Sequence, residues 1–248
     1  MTVAYSAPLI SPGQNLRDAN LRGANLNGAN LTRVDLSGAD LTVATLIGAI
    51  LNDANLTRAR LPGARLSGAD LSGATLIGAV LDHANLTRAR LPGADLSRAT
   101  LIGAVLDHAN LTRARLPGAD LPGATLTRAN LSGADLLSAV LQATDLSGAD
   151  LSGATLSGAD LRHADLTGAD LTVVNLRGAN LRHADLTGAV LHGADLDGAL
   201  LGGVVWVEET RWPTGGWSER MRRASERLPD GRWRVRAEEV PEDALAPI

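Results

Sequence analysis

The sequence predicts an all-β solenoid wound in short coils, ending in a small segment that contains one helix. Three observations predict it. Leu occupies position 16 and every fifth position after it through Leu201, which is 38 registers without a break. Ala stands two residues before each of these Leu, apart from Gln14, Val34, Thr144 and Val174. Four copies of Leu-Pro-Gly-Ala, starting at Leu61, Leu91, Leu116 and Leu121, carry the chemistry of a tight corner.

A period of five fits neither regular element. On an α-helix five residues advance about 500°, so the Leu would wander around the surface instead of forming a stripe. Gly, the commonest residue two places after Leu, would cost about 1 kcal/mol at each helical position. On a continuous strand an odd period sends successive Leu to opposite faces. The chain therefore bends once per five residues. Pro then Gly, as in Pro62-Gly63, marks the two central positions of a type II turn, where Gly accepts a positive φ. Each pentapeptide is a short extended piece plus a corner, with Leu and Ala inward and three residues outward. Successive coils stack through backbone hydrogen bonds about 4.8 Å apart. A triangular coil would take about 15 residues and a square one about 20, and the five-residue period leaves both open, with the handedness.

Composition narrows the function. The chain has 248 residues, a net charge of −4, no Cys and no Phe, and all 23 of its basic residues are Arg. Without Cys there are no disulfides, thiolate metal sites or cysteine nucleophiles. The near-neutral balance argues against a general nucleic-acid binder, and the 45% apolar content argues against disorder. Met1 to Arg17 lacks a basic stretch followed by an apolar run, so no signal peptide is expected. No segment is apolar for long enough to span a bilayer. The expectation is a soluble, cytoplasmic protein that does not act on membranes.

Both ends depart from the repeat. Residues 1–14 include Tyr5, Pro8, Leu9, Ile10 and Pro12, enough for a small N-terminal plug. After Leu201 the composition changes abruptly, with all four Trp and every Glu lying beyond it. Ser218 is the expected N-cap of a short helix. Met221, Ala224 and Leu228 fall on one face of it, and Pro229-Asp230-Gly231 ends it. Trp233 and Val235 alternate with Arg232, Arg234 and Arg236 and predict a strand. The expected organisation is an N-terminal cap at 1–14, the coiled repeat at 15–203 and a Trp-rich C-terminal cap at 204–248, because an open last coil would be an unpaired β edge.

The recurring Ala-(Asp/Asn)-Leu-x-Gly unit, as in Ala19-Asn20-Leu21-Arg22-Gly23, resembles the pentapeptide repeat family. The resemblance covers residues 15 to 203. It implies a right-handed quadrilateral β-helix with four pentapeptides per coil, so the chain would make about nine coils. Members often carry Phe where this chain carries Leu, and its absence here predicts a narrow, uniform Leu stack. Thr210-Arg211-Trp212-Pro213 is similar to the Thr-x-Trp-Pro segment that follows the repeats in some members. Some relatives pair through their C-terminal ends. Trp206, Trp212, Trp217, Met221, Leu228 and Trp233 are therefore expected to form either the cap or a dimer contact, so the protein would be a monomer or a C-terminal homodimer.

Four-sided coils place residues 20 apart in one column. His163 and His183 then stack, but Arg162 and Arg182 beside them disfavour a metal cation. The string from Leu76 to Asp95 recurs identically from Leu101 to Asp120. That shift of five pentapeptides turns His83 and His108 to different sides, so duplication accounts for their similarity. No motif for a nucleophile, a phosphate loop or a dinucleotide is present, and a Leu-filled rod offers no concave site. No enzyme activity and no cofactor are expected.

Carboxylates and charge segregation are more informative. Asp145, Asp165 and Asp185 form one expected column, and Asp150 with Asp170 the next. Residues 15–134 hold 12 Arg and 9 Asp, whereas residues 135–201 hold 3 Arg and 9 Asp. The main expectation is a non-enzymatic interaction rod for an unknown protein partner, with no direct contact to nucleic acid. The alternative comes from the resemblance. Some members mimic DNA, bind DNA gyrase and other type II topoisomerases, and modulate quinolone sensitivity, and the acidic columns would be the matching face. The acidic stretch here spans about three coils, and no loop interrupts the repeats.

Overall fold

A computed structural model describes residues 10–236, and it resolves the choice between three and four sides. Parallel bridges join each residue before a core Leu to the residue 20 positions later, from Asn15↔Asp35 to Asp185↔Val205. Four corners lie in each such interval, so the coil is four-sided. The ladder is regular. The Leu16 amide donates to the Asp35 carbonyl at 2.7 Å, and the Asp35 amide donates back to the Gln14 carbonyl at 3.0 Å.

Every corner has the same construction. At Leu61-Pro62-Gly63-Ala64 the Ala64 amide donates to the Leu61 carbonyl at 3.0 Å, and Gly63 sits at φ 64°. A positive φ confined to the third residue is the signature of a type II turn. The Gly63 amide also donates to the Asp82 carbonyl in the next coil, at 2.9 Å, so the corners are laddered too. Non-Gly residues occupy this position in several corners, among them Val43 at φ 51° and Val173 at φ 56°. A branched side chain in that region is strained by clash with its own backbone.

The core is the Leu and Ala stack, with the Leu buried from Leu16 through Leu201 and Ala19 and Ala24 of the first coil partly buried against it. Val34 and Val174 take Ala positions and are buried likewise. Thr144 also takes one, and its hydroxyl donates to the Leu121 carbonyl at 2.9 Å, which satisfies the buried oxygen. Ile10 is buried against the first coil. The expected plug residues Tyr5, Pro8 and Leu9 lie outside the described residues.

At the far end the chain forms strand β1 (Val205–Trp206), helix α1 (Gly215–Ala224), strand β2 (Ser225–Arg227) and strand β3 (Trp233–Val235). The antiparallel sheet has the order β1-β3-β2. This segment takes over the edge of the last coils. The Leu186 amide donates to the Val205 carbonyl at 2.8 Å, that of Leu191 to Arg211 at 2.6 Å, and that of Gly203 to Val235 at 2.8 Å. The Thr210 hydroxyl donates to the Leu186 carbonyl at 2.9 Å and accepts from the Gly188 and Val207 amides at 3.3 and 3.2 Å.

Two sequence expectations need correction here. Thr214, with extended backbone and no side-chain cap bond, is the N-cap of α1, and Ser218 lies inside the helix. The helix also stops at Ala224, because Ser225–Arg227 pairs with β3. Leu228 is therefore in the turn between β2 and β3, where its amide donates to the Arg232 carbonyl at 2.8 Å. The strand expected at Trp233 and Val235 is present.

Val173 is 64% exposed, so its side chain contributes little burial to offset its strained φ. Val173→Gly should raise stability by about 1 kcal/mol in urea denaturation, while Val173→Ala should gain less. A glycine variant no more stable than the wild type would show that the corner is not strained there.

Candidate functional site

The outward residue before each core Leu serves the corner that follows it. Where it is Asp or Asn, its Oδ1 accepts the amide of the residue two places on, an Asx turn that fixes the entry to the bend. Asn20 accepts from Arg22 at 3.2 Å, Asp95 from Ser97 at 3.0 Å and Asn130 from Ser132 at 2.9 Å. This explains the Asp/Asn preference, a role that the expectation of charged columns did not include. Its signal was present in the sequence, since Asp and Asn alternate freely at this position and share only the carboxamide-like oxygen. Asp120 cannot close such a turn, because Pro122 has no amide hydrogen.

The five carboxylates singled out from sequence stand in two adjacent columns. Asp145 bridges to Asp165 and Asp165 to Asp185, while Asp150 bridges to Asp170. Each also closes its own turn: Asp145 and Asp150 accept at 2.9 Å from Ser147 and Ser152, Asp165 and Asp185 at 2.8 Å from Thr167 and Thr187, and Asp170 at 2.9 Å from Thr172. Asp185 also pairs with Arg232 of the C-terminal segment at 3.1 Å. Among the described residues no ion pair engages the other four.

Partial burial pushes the Asp145 carboxyl up, but the Ser147 hydroxyl and amide and the Thr127 hydroxyl outweigh it and hold the group below its ordinary value. The Thr127 bond measures 3.1 Å. Asp35 and Asp40 are lowered in the same way, first by the Ser37 and Thr42 hydroxyls. Asp160 is lowered first by the Arg162 guanidinium, which it holds at 2.8 and 2.6 Å.

His163 and His183 stack with ring centroids 5.0 Å apart and an interplanar angle of 8°. Both occupy the positive-φ position of their corners. Among the described residues no three His, Asp or Glu converge on a point where a metal could sit. His83 and His108 lie at different corners, as the 25-residue offset requires.

The aromatic residues gather at the C-terminal end. Trp206 stacks on Trp233 at 5.7 Å and meets Trp212 edge-on at 5.8 Å, and Trp212 stacks on Trp217 at 6.2 Å. Trp206, at 1% exposure, is part of the continuous core, with Trp212 and Met221 also buried. Its Nε1 donates to the Ser225 hydroxyl at 2.9 Å, which donates to the Met221 carbonyl at 2.6 Å. Trp217, Trp233 and Leu228 are half-buried. Glu208, which sequence reading passed over, accepts from Arg222 at 2.6 Å and from Trp233 Nε1 at 3.1 Å. It thereby ties α1 and β3 to the loop after β1.

A carboxyl held below its ordinary value contributes stability that is fully present above about pH 3.9 and is lost as pH falls through the folded-state value. Asp145→Ala should therefore cost about 1 kcal/mol at pH 7, with Asp145→Asn much milder because it keeps the acceptor. The gap between wild type and Asp145→Ala should narrow at pH 3. Urea denaturation at both pH values checks this, and a gap that widens in acid would contradict it.

Comparison with known proteins agrees with this geometry. The chain matches the pentapeptide repeats in eight copies, whose overlapping matches cover residues 15–172 and 174–203. It is similar to HetL, a pentapeptide repeat protein involved in heterocyst differentiation regulation in the cyanobacterium Nostoc sp. strain PCC 7120. The two are 39% identical over 82% of this chain and 91% of that one, with a TM-score of 0.62. It is also similar in fold to QnrB1, a plasmid-mediated fluoroquinolone resistance protein, at 23% identity over 75% of this chain and 86% of that one, with a TM-score of 0.52. No curated protein matches the chain. With 38 unbroken registers, a four-sided coil of 20 residues and the matches across the repeat, the chain belongs to the pentapeptide repeat family.

Proposed function

We propose that this protein is a non-enzymatic interaction rod, which binds a protein partner in the cytoplasm through its columns of outward side chains. The observation that carries this reading is the ladder itself. It spends Leu and Ala on the core and sets every outward residue at a fixed height, so charge is displayed in straight columns along a stiff surface. The charge is also sorted along the axis, with 12 Arg and 9 Asp in residues 15–134 against 3 Arg and 9 Asp in residues 135–201. Such a field steers a complementary partner and sets its register. The inward-facing Trp cluster serves in this reading to cover the last coil.

A second reading is favoured by one feature, the paired carboxylate columns Asp145-Asp165-Asp185 and Asp150-Asp170. Two neighbouring rows of negative charge on a narrow rod could enter a groove built for DNA, and a type II topoisomerase such as DNA gyrase would then be the partner.

One set of variants tests both readings. Asp145, Asp165 and Asp185 changed together to Asn lose three charges but keep the oxygens that close their turns, so the rod should remain folded. Affinity capture should recover a partner with the wild-type rod, and the triple variant should lose a partner that docks on this face. In a supercoiling assay, inhibition of gyrase by the wild type and not by the triple variant supports the second reading. Lack of inhibition at about micromolar protein removes it.

A further inference from the structure

We propose that two copies of this rod pair side by side and antiparallel, through one flank on which three nitrogen-bearing side chains and three carboxylates stand in matching register. The inference goes beyond the reading above and does not depend on any outside partner.

The first column is Arg88, His108 and Arg128, each the positive-φ residue of its corner. Their amides donate to the next coil, to the carbonyls of Asp107, Thr127 and Ser147 at 2.9, 3.0 and 2.9 Å, so their backbones rise one coil at a time. All three side chains are exposed. Among the described residues no ion pair joins them to a carboxylate of their own chain. The second column is Asp145, Asp165 and Asp185, set one coil apart by the bridges between them.

Both columns lie on the same flank. The bridge series Asn85, Val105, Thr125, Asp145, Asp165 and Asp185 is continuous, and Arg88, His108 and Arg128 turn the corners that directly follow its first three members. Going along the rod, three coils present Arg, His and Arg, and the next three present Asp. A two-fold axis lying in the contact plane and perpendicular to the rod, at the height midway between Arg128 and Asp145, brings Arg128 level with Asp145 of the second copy, His108 level with its Asp165 and Arg88 level with its Asp185, each pair meeting across the width of one corner. All three pairs share one midpoint because both columns have the same 20-residue spacing. The symmetry then makes each pair twice, a self-complementary interface that closes at two copies. A parallel arrangement in register would place Arg on Arg and Asp on Asp.

The ground between the columns suits close approach. The intervening corner residues Thr87, Thr127, Ser147, Thr167 and Thr187 are small. The exposed Val43, Leu137 and Val173 belong to the other three corners. Other charges bear on the flank, since Arg162 and His163 turn the corner that leads into Asp165, Arg182 and His183 the one that leads into Asp185, and Asp82 and His83 the one that leads into Asn85. Asp107 adjoins His108, and its Oδ1 accepts the Thr127 amide at 3.2 Å. Asp185 is shared with Arg232, so the pairs nearest the axis carry most of the attraction. Exposed pairs contribute little individually, so the association is weak and sensitive to salt.

Sedimentation velocity on the full chain tests this at about 0.01 M salt, where charges are screened over about 30 Å, and at about 1 M, where screening acts within about 3 Å. The wild type should be dimeric at low salt and monomeric at high salt. Arg128→Asp and Asp145→Arg should each be monomeric at both. An equimolar mixture of the two should regain the dimer at low salt, since each mixed pair then holds one native and one exchanged contact. His108→Asp with Asp165→Arg provides the same test should Asp145→Arg fail to fold. A wild type that stays monomeric at low salt, single variants that dimerise as the wild type does, or a mixture that stays monomeric would each overturn the proposal. A dimer held by the C-terminal segment would survive every one of these substitutions.

Discussion

The rod depends on a corner that recurs every five residues and turns on one residue with positive φ. Four such corners return the chain to the same side after 20 residues. That return places Leu over Leu, and it pairs the amides of the Leu, of the residue before it and of the positive-φ residue with carbonyls one coil away. Neither the burial nor the ladder survives without the other. A side of two inward residues is too short to be a stable strand alone, and the Leu stack has no continuous face unless the corners keep their period. Irregularity is therefore tolerated only where the corner geometry is preserved. Val and His can take the positive-φ position at a cost in strain, and Thr144 can take an Ala position because Leu121 supplies an acceptor.

Much of this was legible in the residues. The five-residue Leu period excludes a helix and a flat strand, and Pro62-Gly63 identifies the corner, because each follows from local sterics. The number of sides did not follow, since closure is a relation between residues 20 apart that no single pentapeptide encodes. The resemblance of the repeat implied it and the bridges established it. The carboxylate columns followed once that number was known. The second duty of those carboxylates, closing their own turns, was encoded in the mixture of Asp and Asn before Leu, and was hidden by reading them as charge alone. The C-terminal segment was least legible. Its helix boundary is set by the pairing of Ser225–Arg227 with β3, a tertiary contact that overrides the apolar spacing of Met221, Ala224 and Leu228.

The same ladder that stabilises the fold gives the surface its order. On most folds a charge pattern in sequence is scrambled by the topology. Here a residue type repeated at a spacing of 20 becomes a straight row, and its neighbours in the pentapeptide become parallel rows. Copying a block by 20 residues would preserve its side, whereas the duplication of Leu76–Asp95 as Leu101–Asp120 shifts it by 25 and turns it to the next. Surface chemistry on this scaffold can thus be moved between sides by duplication alone, without disturbing the core.

The central claim is the closure of the coil at 20 residues, and the absence of native Cys allows a direct measurement of it. Bridged residues such as Val80 and Thr100 should lie about as far apart as neighbouring strands, within disulfide range. Cys at 80 and 100 should cross-link rapidly under mild oxidation without loss of structure, whereas Cys at 80 and 95 should stay reduced because those positions belong to adjacent sides. Efficient cross-linking of the 80 and 95 pair, with the 80 and 100 pair left reduced, would contradict a four-sided coil.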